Sequence, residues 1–217
     1  TGINFAIPAK RTFLFANYTL NHTENDAANP FALPADSYNL DAEWGPAAGM
    51  ARHTVSANLS TLLLGVFNVA LNGSVSSGVP YNITTGRDDN GDTVFNDRPE
   101  GVGRNSARAE RTWGVGGRLS YAFGFGQRPA AGGGGAHGGP MVIVQRVGGP
   151  GGSDLAGAFG GGAEDKRIRF EVFVSGSNVF NAVNRVGYSG VMTSPFFGKA
   201  TAAMPGRRVD LGVRVGF

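Results

Sequence analysis

The sequence predicts an all-β protein, an antiparallel meander of about six strands with the pattern of a transmembrane β-barrel. Three observations point there. Apolar and polar residues alternate with period two in one segment after another, while helical periodicity is nearly absent. Most connections are long, yet one pair of strands shares a tight turn. The polar faces carry Asn, Ser, Thr and Gly, with few of the Lys and Glu residues that decorate a water-exposed sheet.

The first strand runs from about Arg11 to Asn21. Leu14, Ala16, Tyr18 and Leu20 share one face, and Phe13, Phe15, Asn17, Thr19 and Asn21 the other, because successive side chains point to opposite sides. The second, near Arg52 to Thr61, sets Val55, Ala57 and Leu59 against Thr54, Ser56, Asn58 and Ser60. A short turn around Leu64 and Gly65 leads into the third, Val66 to Ser76, where Phe67, Val69, Leu71 and Val75 oppose Asn68, Ala70, Asn72, Ser74 and Ser76. The fourth, Thr112 to Phe125, aligns Trp113, Val115, Leu119, Tyr121 and Phe123 against Gly114, Gly116, Arg118 and Ser120. The fifth, Arg167 to Phe180, aligns Ile168, Phe170, Val172 and Val174 against Arg169, Glu171, Phe173, Ser175 and Ser177. In the sixth, Val209, Leu211, Val213, Val215 and Phe217 oppose Arg208, Asp210, Gly212, Arg214 and Gly216.

Strands one and two are joined by roughly 30 residues, well beyond ordinary loop lengths. The segments from Gly78 to about Glu110 and from Asn181 to Gly206 are long as well. Long loops count against a compact soluble domain and are expected of outer-membrane barrels, whose external loops are long and periplasmic turns short. One connection breaks the pattern. Residues 127–166 form a Gly-rich, low-complexity tract where a short turn belongs, expected to stay largely unordered because its composition offers little to bury. Within it, Met141 to Val147 could pair as an extra strand.

Bulk composition narrows the alternatives. Gly is 36 of 217 residues against an average usage of about 7 %, and charged residues are 16 %. With no Cys, neither a disulfide framework nor a thiolate metal site is available. The formal charge is +3, with cations scattered among acids, so nucleic acid is not an expected partner. No apolar run approaches the roughly 18 residues of a membrane-spanning helix. The segment Thr1 to Arg11 lacks the charged and apolar blocks of a signal peptide, which suits a mature chain or a piece of a longer one.

Alternation alone fits a soluble sandwich as well as a barrel. Two features favour lipid. Tyr18, Trp113, Tyr121 and Phe217 stand near strand ends on the apolar faces, as interfacial aromatics do. The opposite faces are polar but weakly charged, which suits the lumen of a large barrel. Backbone groups cannot stay unpaired in hydrocarbon, so such strands require closure.

Two stretches carry a resemblance to a known family. The segment "SSGVPYNITTGRDDNGDTVFNDRPEGVGRNSAR" (Ser76 to Arg108) resembles a late barrel loop of TonB-dependent outer-membrane receptors of the Oar-like group. "GSNVFNAVNRVGYSGVMTSPFFGKATAAMPGRRVDLGVRVGF" is similar to the last hairpin of that group, and "NPFALPADSYNLDAEWGPAAGMARHTV" to its preceding loop. In the last of these, Met50, Ala51, Arg52 and His53 replace an Asp-Arg-Arg-His-like sequence. The final strand also resembles the assembly signal of outer-membrane barrels, with Asp210, Gly212, Val215 and Phe217 in the signature positions.

The resemblance implies an active transporter in the outer membrane. Such a receptor is a barrel of about 22 strands with a plugged lumen, energised by TonB, and its partners are outer-membrane lipid and the barrel-assembly machinery. About six strands cannot enclose a plug, so residues 1–217 are expected to form the C-terminal portion of such a barrel. The alternative is a structural or adhesive cell-surface β protein without transport activity.

Other chemistry is sparse. Asp88, Asn90, Asp92, Asn96 and Asp97 crowd one loop, and Asp and Asn alternating around a Gly is how short loops wrap oxygen ligands around Ca2+. Thr93 and Pro99 stand where an EF-hand needs Gly and Glu, so a solvated loop of Asx turns is the other reading. His22, His53 and His137 have no partners at catalytic or zinc-site spacing, and no enzymatic activity is expected. Arg118, Arg169, Glu171, Arg208, Asp210 and Arg214 fall on the lumen side, where they either pair across strands or touch a plug or substrate.

Overall fold

The structure, a computed structural model, describes residues 1–7, 11–127 and 166–217. In chain order the described strands are β1 (Gly2–Ile7), β2 (Thr12–Leu20), β3 (Glu24–Asn25), β4 (Gly45–Pro46), β5 (His53–Leu63), β6 (Phe67–Ser76), β7 (Pro80–Tyr81), β8 (Ala107–Arg108), β9 (Thr112–Gln127), β10 (Lys166–Ser177), β11 (Arg185–Tyr188), β12 (Ala200–Ala203) and β13 (Arg208–Gly216). One antiparallel sheet takes β1, β2, β5, β6, β9, β10 and β13 in that spatial order, a plain meander. The short strands pair as three ribbons, β3 with β4, β7 with β8 and β11 with β12.

The sheet therefore has seven strands where alternation in the sequence marks six. The additional one, β1, pairs with β2 from Gly2 opposite Asn17 to Ile7 opposite Thr12. Its six residues alternate only briefly before Pro8, too short a run to stand out. The Gly-rich tract begins and ends inside strands, since Gln127 closes β9 and Lys166 opens β10 opposite it. The rest of that tract, with the proposed Met141 to Val147 strand and His137, lies outside the described residues. The fifth expected strand ends at Ser177, before Phe180, because the chain turns through Asn178 and Asn181, both at positive φ.

Register gathers every apolar half-strand on one side. Thr61 stands opposite Val69, Val69 opposite Leu119, Leu119 opposite Val174 and Val174 opposite Leu211. Nearer the loops, a row on the same face runs Tyr18, Val55, Val75, Trp113. Apart from Lys166 at the end of its row, this face carries no Asp, Glu, Lys or Arg on any of the seven strands. Nothing in the described chain covers it. Leu211 is 82 % exposed and Val213 64 %, and the buried apolar residues are Ala35 and Ala47, both in a loop.

The connections sort by end. Residues 21–52, 77–111 and 178–207 all emerge at one end of the sheet. At the other, β5 and β6 are joined through Leu64 and Gly65, whose φ values of 52° and 74° are the left-handed pair that suits the twist of a hairpin.

On the reverse face the strands approach closely where one lacks a side chain. Phe173 stands opposite Gly212, and its ring fills the space a side chain there would need, so a Cβ added at Gly212 would run into the ring. The Arg118 guanidinium lies over the same ring, 3.7 Å from its centroid. Replacing Gly212 by Ala is expected to displace Phe173 and destabilise the sheet by about 1–3 kcal/mol. In urea titrations, G212A should shift the unfolding midpoint more in the parent than in F173A, and equal shifts would contradict the contact.

Candidate functional site

Three surfaces are built from these strands: the apolar face, its polar reverse, and the loop layer. Aromatics bound the apolar face at both ends. Near the loops, Tyr18 stacks on His53 and their Oη and Nδ1 atoms are 2.8 Å apart, while Trp113 lies 6.1 Å from Phe180. Toward the opposite end, Phe67, Tyr121, Phe123, Phe125 and Phe170 form one chain of ring contacts at 5.4–6.2 Å. Aliphatic rows fill the band between. Aromatic girdles at both rims of an apolar band are a feature of transmembrane barrels, and here Tyr18, Trp113 and Tyr121 carry a polar group on the ring.

The polar reverse holds a cluster of charge at β9, β10 and β13. Arg118 Nη2 donates to Glu171 Oε1 at 2.9 Å, and Arg214 Nη1 is 3.8 Å from Glu171 Oε2. Glu171 is thus shared by guanidiniums from both neighbouring strands. Arg208 pairs along its own strand with Asp210 at 2.9 Å. Arg169 has no ion-pair partner among the described residues. Ser120, opposite Asn68 on one side and Phe173 on the other, is 1 % exposed.

The residues of the final-strand signature divide between these faces. Asp210 and Gly212 lie on the polar side, Gly212 beneath Phe173, while Val215 and Phe217 continue the apolar row, with Phe217 fully exposed.

The loop layer carries most of the buried polar groups. Glu43, at the end of a single 3-10 turn over Leu40–Glu43, is 6 % exposed. Its Oε1 accepts from Arg98 at 2.8 Å and from the Ala35 amide at 2.8 Å, and its Oε2 accepts from Arg98 at 3.1 Å. Arg104 stands 3.8 Å from the same carboxylate and donates to the Asn25 carbonyl at 2.6 Å. Asn105 donates to the Pro46 carbonyl at 2.8 Å. One carboxylate therefore ties the first long loop to the second.

The third loop is stitched on through backbone groups. Thr84 donates to the Gly190 carbonyl and accepts from the Met192 amide, both at 2.9 Å. Tyr81 stacks on Tyr188 at 5.7 Å. The Asn184 side chain accepts from the Trp113 amide at 2.9 Å and donates to the Trp113 carbonyl at 2.7 Å, imitating a strand partner.

The acidic segment of the second loop closes on its own amides. Asp88 accepts from the amides of Gly91, Asp92 and Thr93, Asn90 from Asp92, and Asp92 from Val94. Asp97 Oδ2 accepts from Asp89 at 2.6 Å and Asn90 at 3.4 Å. Asn96 points away from the group and donates to the Leu33 and Pro34 carbonyls at 3.1 Å each. Among the described residues no three His, Asp or Glu side chains converge as a metal cluster would require. The geometry is that of successive Asx turns.

No family model, curated protein or solved structure matches this chain.

Glu43, Arg98, Arg104 and Asn184 escaped the reading of the sequence. They sit in aperiodic segments, and Glu43 and Arg98 are 55 positions apart, so no local pattern joins them. Burial pushes the Glu43 carboxyl up, but the Arg98 and Ala35 hydrogen bonds with the charges of Arg98 and Arg104 outweigh it and hold the carboxyl below its usual range. The stabilisation is then complete above the unfolded value of about 4.3 and is lost as pH falls through the lower folded value. Hydrogen exchange at the Ala35 amide should quicken in acid below about pH 4 beyond its intrinsic pH dependence, while strand amides of β5 and β6 stay protected. Glu43→Gln, which leaves two arginines short of a buried partner, should destabilise the loop layer by about 3–5 kcal/mol at neutral pH. Unchanged Ala35 protection in that variant would contradict the tie.

Proposed function

We propose that the chain is the C-terminal barrel segment of an outer-membrane TonB-dependent receptor, taking part in uptake of a substrate into the cell. The observation that carries the reading is the uncovered apolar face, charge-free but for Lys166 at its rim. A water-soluble sheet of this size would lay that face against a second layer. Here lipid supplies the cover. Closure of the sheet by further strands satisfies the backbone groups along the free edges of β1 and β13. The resemblance of the segments Ser76 to Arg108 and Gly176 to Phe217 to the Oar-like group selects the receptor class among barrels.

In this arrangement the three interlocked loops face outside the cell and the tight hairpin at Leu64 and Gly65 faces the periplasm. The polar reverse becomes lumen wall, and the final strand presents its side chains to the assembly machinery.

Fractionation of native envelopes tests the proposal. The protein should sediment with outer membrane, resist carbonate and urea, and dissolve only in detergent. An antibody against residues 77–111 should detect a polypeptide long enough for about 22 strands and a plug. Release by carbonate would favour the adhesive alternative. A membrane-embedded polypeptide no longer than these 217 residues would contradict the receptor.

A further inference from the structure

The seven strands differ sharply in charge. β1, β2, β5 and β6 contain no Asp, Glu, Lys or Arg, so every such residue of the sheet lies on β9, β10 and β13. On the polar face these are Arg118, Arg167, Arg169, Arg208 and Arg214, against Glu171 and Asp210. Asp210 is engaged by Arg208, and Glu171 is drawn closely to Arg118.

What is left over is cationic and gathered at one place. Arg167 and Arg169 have no carboxylate within ion-pair distance among the described residues. Arg214 keeps only the 3.8 Å contact to Glu171, and its side chain is 61 % exposed. Arg169 stands opposite Gly216 and Arg214 opposite Glu171, so the two arginines are diagonal neighbours on the same face, within reach of one another's long side chains. Gly216, across from Arg169, has no side chain and leaves the guanidinium room against that strand. The Arg169 Nε and Nη2 lie 3.8 Å from where a Cβ of Gly216 would stand.

Arg169 therefore carries a charge that no described carboxylate balances, and Arg214 shares its one carboxylate, Glu171, with Arg118. The planar forks of Arg169 and Arg214 match the oxygens of phosphate and carboxylate, and a polar wall backed by apolar rows strengthens the field that draws such groups in.

We propose that Arg169 and Arg214, with Arg167 beside them, form a binding site for an oxyanion, a phosphate or carboxylate group carried by the transported solute. This rests on the barrel reading, which makes the polar face a lumen wall.

The full chain in uncharged maltoside detergent, titrated calorimetrically with inorganic pyrophosphate at low salt, tests the site. Saturable binding is expected. Arg169→Gln and Arg214→Gln should each weaken it at least tenfold, with strand content unchanged by circular dichroism. Arg169→Lys, which keeps the charge and loses the fork, should weaken it less. Arg185→Gln, on the loop layer beside Glu110, should leave it unchanged.

Repeating the titration in micelles doped with phosphatidylglycerol separates two sources of the same chemistry. Retained pyrophosphate binding supports a free solute, and displacement by the lipid overturns the solute assignment in favour of a headgroup. Absence of saturable binding, or equal weakening in R169Q, R214Q and R185Q, overturns the site itself. A chain that fractionates with outer membrane yet binds no pyrophosphate would lose this site and keep the receptor reading.

Discussion

An apolar surface that no described residue covers governs this structure. Across seven strands the same side presents Val, Leu, Ile, Phe and Ala in register, and no described residue lies over it. Leaving so much hydrocarbon in water is unfavourable at about 25 cal/mol for each Å². The reverse face cannot relieve it, because Asn17, Asn58, Asn72 and Arg118 would lose water on being packed into a core. In the proposed barrel, a bilayer would resolve the conflict by giving the apolar side chains an apolar solvent.

With no core inside the sheet, order elsewhere is polar. The buried groups of the loop layer are Glu43, Asp97, Arg104, Asn105 and Asn184, and burial of such groups is tolerated only when each finds hydrogen bonds. Glu43, Arg104 and Asn105 find them in another loop, Asp97 within its own, and Asn184 at the start of β9. Arg104 reaches Asn25 across 79 positions, and Asn184 reaches Trp113 across 71. The three long connections therefore behave as one cross-braced cap instead of three separate flaps. Sheet and cap meet where Asn184 and Val179 bond the first residues of β9.

How much of this can be read from the chain follows from the range of each interaction. Period-two alternation is local, and β2, β5, β6, β9, β10 and β13 are each visible from it to within three residues, the largest difference being the earlier end of β10 at Ser177. The turn at Leu64 and Gly65 was equally local. β1 was missed because six residues give only three alternations. The charges on the polar face could be placed by parity, but not their partners: alternation puts Arg118, Glu171 and Arg214 on one side, and only register makes Glu171 the shared acceptor. The cap was illegible, since its ties join residues more than fifty positions apart through segments without period. In the Asp88 to Asp97 loop the sequence offers either calcium ligands or Asx turns, and in the structure Asp88 accepts from the amides of Gly91, Asp92 and Thr93.

Nitroxide labels placed singly at Leu119, Val172 and Val213, with Ser175 as the opposite-face comparison, measure the central claim most directly. In native membranes the account predicts high collision rates with dissolved oxygen and low rates with a water-soluble nickel chelate at the first three positions, and the reverse preference at Ser175. Labels at Leu119, Val172 and Val213 that meet neither reagent would report a dry protein interior, and the apolar face would then be a core and not a lipid contact.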